Sequence, residues 1–147
     1  MREGRLGRLV GGLLVVLCAT CRDAGHLYRL AIALNREFAE THIGVSLTDG
    51  VILTVTVADS VLSIASCQTQ VALAMRVGRF LRQQDPDLES LQVVNVAFRT
   101  GRKDAPVPVR AAHLPIRFSP ARIVAGLGVS DSTDAVSSCK AYEDLGG

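Results

Sequence analysis

Apolar and polar residues alternate along this chain with two different periods, and the change of period separates the predicted elements. From Gly25 to Glu40 the apolar positions recur every three or four residues, which predicts an amphipathic helix. From Ile43 to Val57 they recur every second residue, with an interruption at Thr48-Asp49-Gly50. This second pattern predicts two strands joined by a tight turn.

The hairpin pattern also predicts a register. A three-residue loop of Thr48, Asp49 and Gly50 places all the alternating aliphatic side chains on one face, whereas a two-residue loop would put Ser46 on the same face as Leu53. Gly50 then takes the left-handed position of a type I turn followed by a bulge. The predicted cross-strand pairs are Leu47 with Val51, Val45 with Leu53, and Ile43 with Val55.

The rest of the pattern predicts one more helix and two more strands. A wide apolar surface from Cys67 to Gln84 predicts a helix that stops at Asp85-Pro86, because proline disfavours helical geometry in the residue before it. Leu91 to Phe98 is rich in Val and Phe and predicts a third strand. Val107 to Phe118 predicts a fourth strand, and its two prolines put that strand at an edge or make it irregular.

These elements predict a two-layer α+β fold. It consists of an antiparallel sheet of about four strands with two helices on one face, in the order α-β-β-α-β-β, after an N-terminal signal segment. The pattern does not determine the strand order, and the pairing of the second and third strands across the second helix could run in either direction. The predicted divisions are a leader over 1–21, a single domain over 24–125 and a polar tail over 126–147. Because its apolar content is low, the tail is expected to be flexible unless Cys139 ties it down.

The first residues are typical of an export leader. Three arginines precede an apolar run from Leu9 to Ala19, which is short for a permanent anchor because a spanning helix needs roughly 20 apolar residues. The run ends in Cys18-Ala19-Thr20-Cys21. This end resembles the lipobox of bacterial lipoprotein precursors, with Cys21 as the residue that takes the lipid.

The resemblance covers the leader alone and departs from the usual lipobox at two positions. Cys18 stands where Leu is usual, and Thr20 stands where Gly, Ala or Ser is usual. The resemblance implies lipid attachment at Cys21 and anchoring on the periplasmic side of the cell envelope. Two alternatives stay open, namely ordinary signal-peptidase cleavage near Ala19 to Ala24, which would give a secreted protein, and an uncleaved single-pass inner-membrane anchor.

Two cysteines, Cys67 and Cys139, lie outside the leader region. In an oxidising envelope compartment two such thiols predict one disulfide. The alternative is a buried Cys67 and a free Cys139. Neither cysteine has a CxxC partner or a nearby histidine, so no zinc site, other metal site or cofactor is expected.

The charge beyond the leader argues against nucleic acid as a partner, because the remaining 13 basic and 13 acidic residues balance. A local basic cluster still provides a candidate site for lipid headgroups or an acidic envelope protein. Its members are Arg76, Arg79, Arg82, Arg102 and Lys103. The alternative interpretation of this cluster is an ordinary solvated surface.

No catalytic motif stands out, since the chain has neither a Gly-x-Ser-x-Gly elbow nor a glycine-rich phosphate loop. We therefore expect a small exported envelope protein that acts as a non-catalytic binding or scaffolding module. The alternative of a secreted enzyme has His42, Asp59 and His113 as its first candidates. In the simpler interpretation, the two histidines are surface residues and Asp59 caps a turn.

Overall fold

The computed structural model describes residues 24–39, 42–59, 61–99 and 114–145. Within these ranges the elements are, in chain order, α1 (24–37), β1 (His42–Thr48), β2 (Ile52–Ala58), α2 (Cys67–Gln84), β3 (Val93–Arg99), β4 (Ile116–Phe118), α3 (Pro120–Ala125) and α4 (Val129–Asp144). Short 3-10 segments at Leu62–Ile64 and Leu88–Ser90 precede α2 and β3. The α+β class and the four strands are confirmed, but this part of the chain has four helices where two were predicted.

The four strands form one mixed sheet in the order β1-β2-β3-β4. The β1–β2 and β3–β4 pairs are antiparallel, whereas β2 and β3 are parallel. The prediction of an antiparallel sheet is therefore wrong at its centre. The reason is that α2 connects β2 to β3 as a crossover, which returns the chain to run in the same direction.

The β1–β2 hairpin has a different register from the predicted one. Val45 pairs with Val55 and Leu47 pairs with Leu53, so the three-residue loop starts at Asp49 and the predicted pairing is wrong by two residues. The aliphatic inner face is nevertheless as predicted, because a shift of two residues leaves every side chain on its original face.

The turn of this hairpin has two residues in left-handed conformation. Gly50 has a φ of 72°, as predicted, and Asp49 has a φ of 53°. The N–H of Val51 donates to the carbonyl of Thr48 at 3.1 Å, which closes a turn of type I′. The predicted type I turn is therefore wrong, because both central residues have positive φ.

One face of the sheet forms the hydrophobic core with the helices. The inward side chains of β2 and β3 join α1 and α2 in a single buried cluster, and a fully buried Leu, Val or Phe in such a core contributes about 1.5–3 kcal/mol. The central members are Leu34, Leu53, Val55, Val57, Val71, Val77, Leu81, Val94 and Val96. The opposite face of the sheet presents polar and small side chains such as Thr54, Thr56 and Asn95.

Helix α2 has the bounds that its sequence pattern predicts. Ser66 caps its first turn, where the Ser66 hydroxyl oxygen accepts from the Thr69 N–H at 3.3 Å. Gln70 is only 1% exposed, and its amide donates to the carbonyl of Leu62 at 2.8 Å. This buried amide fixes the 3-10 segment after β2 against the start of α2.

The segment predicted to be a polar tail is helical in the structure. Helix α4 covers 16 residues of it, and Cys139 in α4 is bonded to Cys67 at the start of α2 with an S–S distance of 1.98 Å. This disulfide is the constraint at Cys139 without which the tail was expected to be flexible. The segment also packs closely against α2. A Cβ at Gly78 of α2 would lie 2.5 Å from the Leu127 side chain, so only glycine leaves room for Leu127 there.

Strand β4 is shorter than predicted. The strand geometry is restricted to Ile116–Phe118, and residues 107–113 of the predicted strand lie outside the described part of the chain. The predicted edge position is confirmed for the described residues, in which β4 is the last strand of the sheet. Pro115 comes directly before the strand, which accounts for its start at Ile116.

Candidate functional site: a groove between β4 and α4

A groove of about 470 Å³ lies between strand β4 and helix α4. Its β4 wall includes the residues on either side of the strand and Arg122 of α3. Its α4 wall is made by Asp131, Asp134, Ala135, Ser138, Cys139 and Tyr142.

The β4 wall is held by pairing with β3 on one side. Ile116 pairs with Val96 and Phe118 with Val94, and both β4 side chains are buried in the core. Arg117 between them is exposed, because successive side chains of a strand point to opposite faces. No strand pairs with the other side of β4 in the described part of the chain.

Helix α4, which forms the second wall, has a capped first turn and a covalent bond to α2. At the start of the helix, the Asp131 carboxylate accepts from the Gly128 N–H at 2.9 Å, which satisfies a backbone donor that the helix leaves unpaired. Further along, the disulfide brings the Cα atoms of Cys67 and Cys139 to 5.7 Å. The wall is thus fixed to α2 by a covalent bond in addition to side-chain packing.

The two walls carry opposite charges. The Nε atom of Arg122 lies 3.7 Å from Oδ1 of Asp131, and the Arg122 side chain is 64% exposed, so this pair is weak. Arg117 on the β4 wall and Asp134 on the α4 wall have no ion pair among the described residues. The described lining of the groove thus contains one cation, Arg117, and one anion, Asp134, that are not in an ion pair with each other or with another described residue.

The two serines in the described lining of the groove are Ser119 and Ser138. The Ser138 hydroxyl is engaged with the backbone, since it donates to the carbonyl of Asp134 at 2.9 Å. No histidine occurs among the described residues that line the groove, so neither serine in the lining has an imidazole base beside it. The described lining thus combines apolar side chains, charged side chains of both signs and the edge strand β4.

The structure does not gather the predicted basic cluster into one site. The guanidinium of Arg76 lies 5.1 Å from the ring centroid of Phe38, on the α1 side of α2. A terminal nitrogen of Arg82 instead lies beside Gly126, which follows α3. Arg79 is exposed on α2, and Arg102 and Lys103 lie outside the described residues. Arg76 and Arg82 therefore lie beside different neighbours of α2, the end of α1 and the end of α3.

Two of the three residues proposed for an enzyme lie near each other at one end of the sheet. His42 is exposed and pairs with Ala58, which directly precedes Asp59. The Asp59 carboxylate accepts from the N–H groups of Val61 at 2.7 Å and Leu62 at 3.0 Å, which confirms its predicted role as a turn cap. His113 lies outside the described residues, as does Cys21.

An imidazole–carboxylate contact escaped the sequence analysis. His26 of α1 lies 3.4 Å from Asp85, which is 6% exposed at the end of α2. Asp85 also accepts from the Asp87 N–H at 3.0 Å, so the contact joins two helix ends. No periodic signal marks it, because its two residues are far apart in the sequence and belong to different helices.

The groove was not predicted from the sequence, because the residues of its α4 wall were interpreted as part of a polar tail. A weak helical signal was present: Ala135, Cys139 and Tyr142 recur at steps of four and three residues, and each is half-buried in the structure. Their low number and the surrounding Ser and Asp residues hid the pattern.

The described residues contain neither a metal-binding cluster nor a membrane-spanning helix. In those ranges no group of three or more His, Cys, Asp or Glu side chains could hold a metal ion. No helix there is long and apolar enough to cross a membrane. Comparison of the chain with models of protein families, with curated proteins and with solved structures found no match.

Proposed function

We propose that this protein is exported to the cell envelope and acts there as a non-catalytic binding module. The proposed ligand site is the groove between β4 and α4, and the proposed ligand is an extended peptide segment of another envelope protein. The mature chain is anchored to the membrane through a lipid on Cys21.

Two observations support the location. The N-terminal sequence is typical of an export leader that ends in a lipobox-like cysteine cluster. The disulfide between Cys67 and Cys139 is a bond that persists in oxidising compartments and is rare in the cytosol. The first observation concerns the leader and the second the folded domain, so they are independent.

The observation that carries the binding proposal is the construction of the groove from two separately fixed walls. Strand β4 is held by β3 and helix α4 by the disulfide to α2, so the space between them does not depend on contacts across the groove. A site that is formed before its ligand arrives binds with a smaller entropy cost.

The lining supports a peptide as the ligand. The free side of β4 offers backbone hydrogen-bonding groups to an extended chain, as in recognition by strand addition. Arg117 and Asp134 on opposite walls match side chains of both signs, and the half-buried Ala135 and Tyr142 match apolar ones. A fatty or purely anionic ligand would leave one of these features unmatched.

The location is tested by the intact mass of the protein extracted from envelopes. We expect a mass that corresponds to cleavage before Cys21 plus a lipid, and a Cys21→Ser variant that is found away from the membrane. A full-length mass, or an unmodified mature mass with unchanged membrane attachment, would contradict the proposal.

The groove is tested by selecting peptides from a displayed library of envelope-protein fragments against the whole chain and titrating the best binder. Ser138→Trp should fill the groove and weaken binding by about tenfold or more, because a large side chain there displaces the peptide. Ser137→Trp is the matched control, since Ser137 is also an exposed serine of α4 that bonds its own helix backbone but does not line the groove. Equal binding by the two variants would place the peptide elsewhere.

A further inference from the structure

The outer edge of β1 is partly closed by a side chain of α1. The Asn35 amide donates to the carbonyl of Ile43 at 2.6 Å, and its oxygen accepts from the N–H of Ile43 at 2.9 Å. Asn35 therefore bonds both backbone groups of one β1 residue, as a neighbouring strand would.

This contact determines which backbone groups of β1 point outward. In an antiparallel pair, successive residues direct their N–H and C=O groups alternately toward the partner strand and away from it. The N–H and C=O groups of Ile43 are directed to Asn35 and therefore away from β2. By the alternation, the backbone groups of Val45 and Leu47 are directed away from β2 as well. No described residue occupies the outward groups of Val45 and Leu47.

This edge lacks the features that usually prevent strand pairing. Between His42 and Thr48 the sequence HIGVSLT has no lysine, arginine, carboxylate or proline. The ladder with β2 runs through all seven residues without a bulge. Natural proteins generally protect a long free edge with charges, proline or bulges, and an edge without them is available for another strand.

An exposed apolar patch lies beside this edge. Tyr28 is 69% exposed and Ile32 is 45% exposed, and they precede Asn35 in α1 by seven and three residues. Residues at these spacings share one face of a helix. Because Asn35 reaches the outer edge of β1, Tyr28 and Ile32 lie on the side of α1 that faces the same edge.

We propose that the β1 edge is a self-association surface, where a second copy of this chain pairs antiparallel through its own β1. The two-fold axis lies between Ser46 of one copy and Ser46 of the other, so that Val45 of each copy pairs with Leu47 of the other. This is the register that uses the outward groups of Val45 and Leu47 in both copies and leaves Ile43 bonded to Asn35. Antiparallel pairing also keeps the helices of both copies on the same face, which brings Tyr28 and Ile32 against α1 of the second copy.

The register makes a cross-linking prediction. Ser46 would lie opposite Ser46 of the second copy in a non-hydrogen-bonded pair, where Cα atoms are about 4.5 Å apart, within the range of about 4.4–6.8 Å that a disulfide needs. Gly44 would lie opposite Thr48 of the second copy, so neither residue faces its own equivalent.

The test is oxidation of the full chain carrying one added cysteine, followed by non-reducing electrophoresis, with the unaltered chain as the background for its native cysteines. We expect Ser46→Cys to give a cross-linked dimer. Gly44→Cys and Thr48→Cys should each stay at background alone, but an equimolar mixture of the two should cross-link. Background cross-linking of Ser46→Cys, or equal cross-linking at all three positions, would overturn the proposal.

A second measurement does not depend on added cysteines. Sedimentation of the full chain should show a concentration-dependent dimer, and Ile32→Glu should weaken it by about tenfold or more because the charge would be buried against the second α1. Ile64→Glu is the matched control, since Ile64 is 81% exposed and lies in the 3-10 segment that contacts β3 and α2. A monomer at all concentrations, or equal weakening by both variants, would overturn the proposal.

Discussion

The two edges of the sheet are built in opposite ways. The β1 edge is long and uncharged, and it is formed by residues close in sequence: the hairpin to β2, a type I′ turn and the Asn35 contact eight residues away. The β4 edge has three residues, follows a proline and faces α4, which is bonded to α2 across a separation of 72 residues.

Both edges leave backbone N–H and C=O groups unpaired, but the residues beside those groups differ. A free edge presents unpaired N–H and C=O groups that invite another chain. At β4 a helix stands opposite the edge, so only a thin segment can enter the groove between them. At β1 nothing among the described residues stands beyond Val45 and Leu47, so a whole strand can approach. This difference is why the proposed peptide site is at one edge and the proposed self-association surface at the other.

The largest expected effect on stability comes from the disulfide that holds α4 beside β4. Replacing both Cys67 and Cys139 by serine should lower the free energy of unfolding by about 2–5 kcal/mol, because the disulfide closes a long loop in the unfolded chain. Denaturant unfolding measures the loss, and hydrogen exchange should show α4 amides losing more protection than β1 amides. Unchanged protection in α4 would mean that packing alone holds the groove wall.

The next largest effect on stability comes from the Asn35 contact at the β1 edge. Asn35→Ala should lower the free energy of unfolding by about 1–3 kcal/mol, because it leaves the N–H and C=O of Ile43 without their partner. Arg36→Ala is the control, since Arg36 is exposed on the same helix, and it should change stability by no more than about 0.5 kcal/mol. Equal losses in thermal unfolding would show that the Asn35 contact is incidental.

A smaller effect tests the local turn that sets the β1 register. Gly50→Val should cost about 1–2 kcal/mol, because a β-branched side chain is strained at positive φ, and Gly50→Asn should cost less. Gly44 is the matched control: a Cβ has free space at both glycines, but only Gly50 has positive φ. If Gly44→Val destabilises the chain as much as Gly50→Val in denaturant unfolding, the turn conformation is not the cause.

The smallest effect separates two roles of one carboxylate at the groove. Asp131→Ala should cost about 1 kcal/mol, because it removes the bond to the Gly128 N–H at the start of α4. Arg122→Ala should cost no more than about 0.5 kcal/mol, because it removes only an exposed ion pair. Equal losses in thermal unfolding would mean that the ion pair holds this end of α4.

The elements that the sequence predicted well depend on local physics. The period of the apolar residues marked α2 at Cys67–Gln84, where Asp85-Pro86 ends the helix, and it marked the inner faces of both hairpin strands. The left-handed Gly50 followed from its place in a tight turn. The turn cap by Asp59 followed in the same way from a short side chain at the end of a strand.

What the sequence did not predict depends on contacts between distant residues. The hairpin register was wrong by two residues because both registers bury the same aliphatic face, so hydrophobicity does not distinguish them. The candidate groove was missed because α4 has few apolar residues of its own and depends on Cys67 and α2 for its position. The Asn35 contact with Ile43 was missed because a single polar side chain carries no periodic signal.

The sequence by itself thus determined the class of the fold, the number of strands, the second helix and the apolar face of the hairpin, since each follows from side-chain pattern and turn chemistry within a few residues. Only the tertiary structure decided that β2 and β3 run parallel, that the C-terminal segment is a helix beside β4, and that one edge of the sheet faces a helix while the other is open. The physical reason is that pairing and docking depend on the free energy of burying surfaces together, and those surfaces come from segments that the order of residues alone does not bring together.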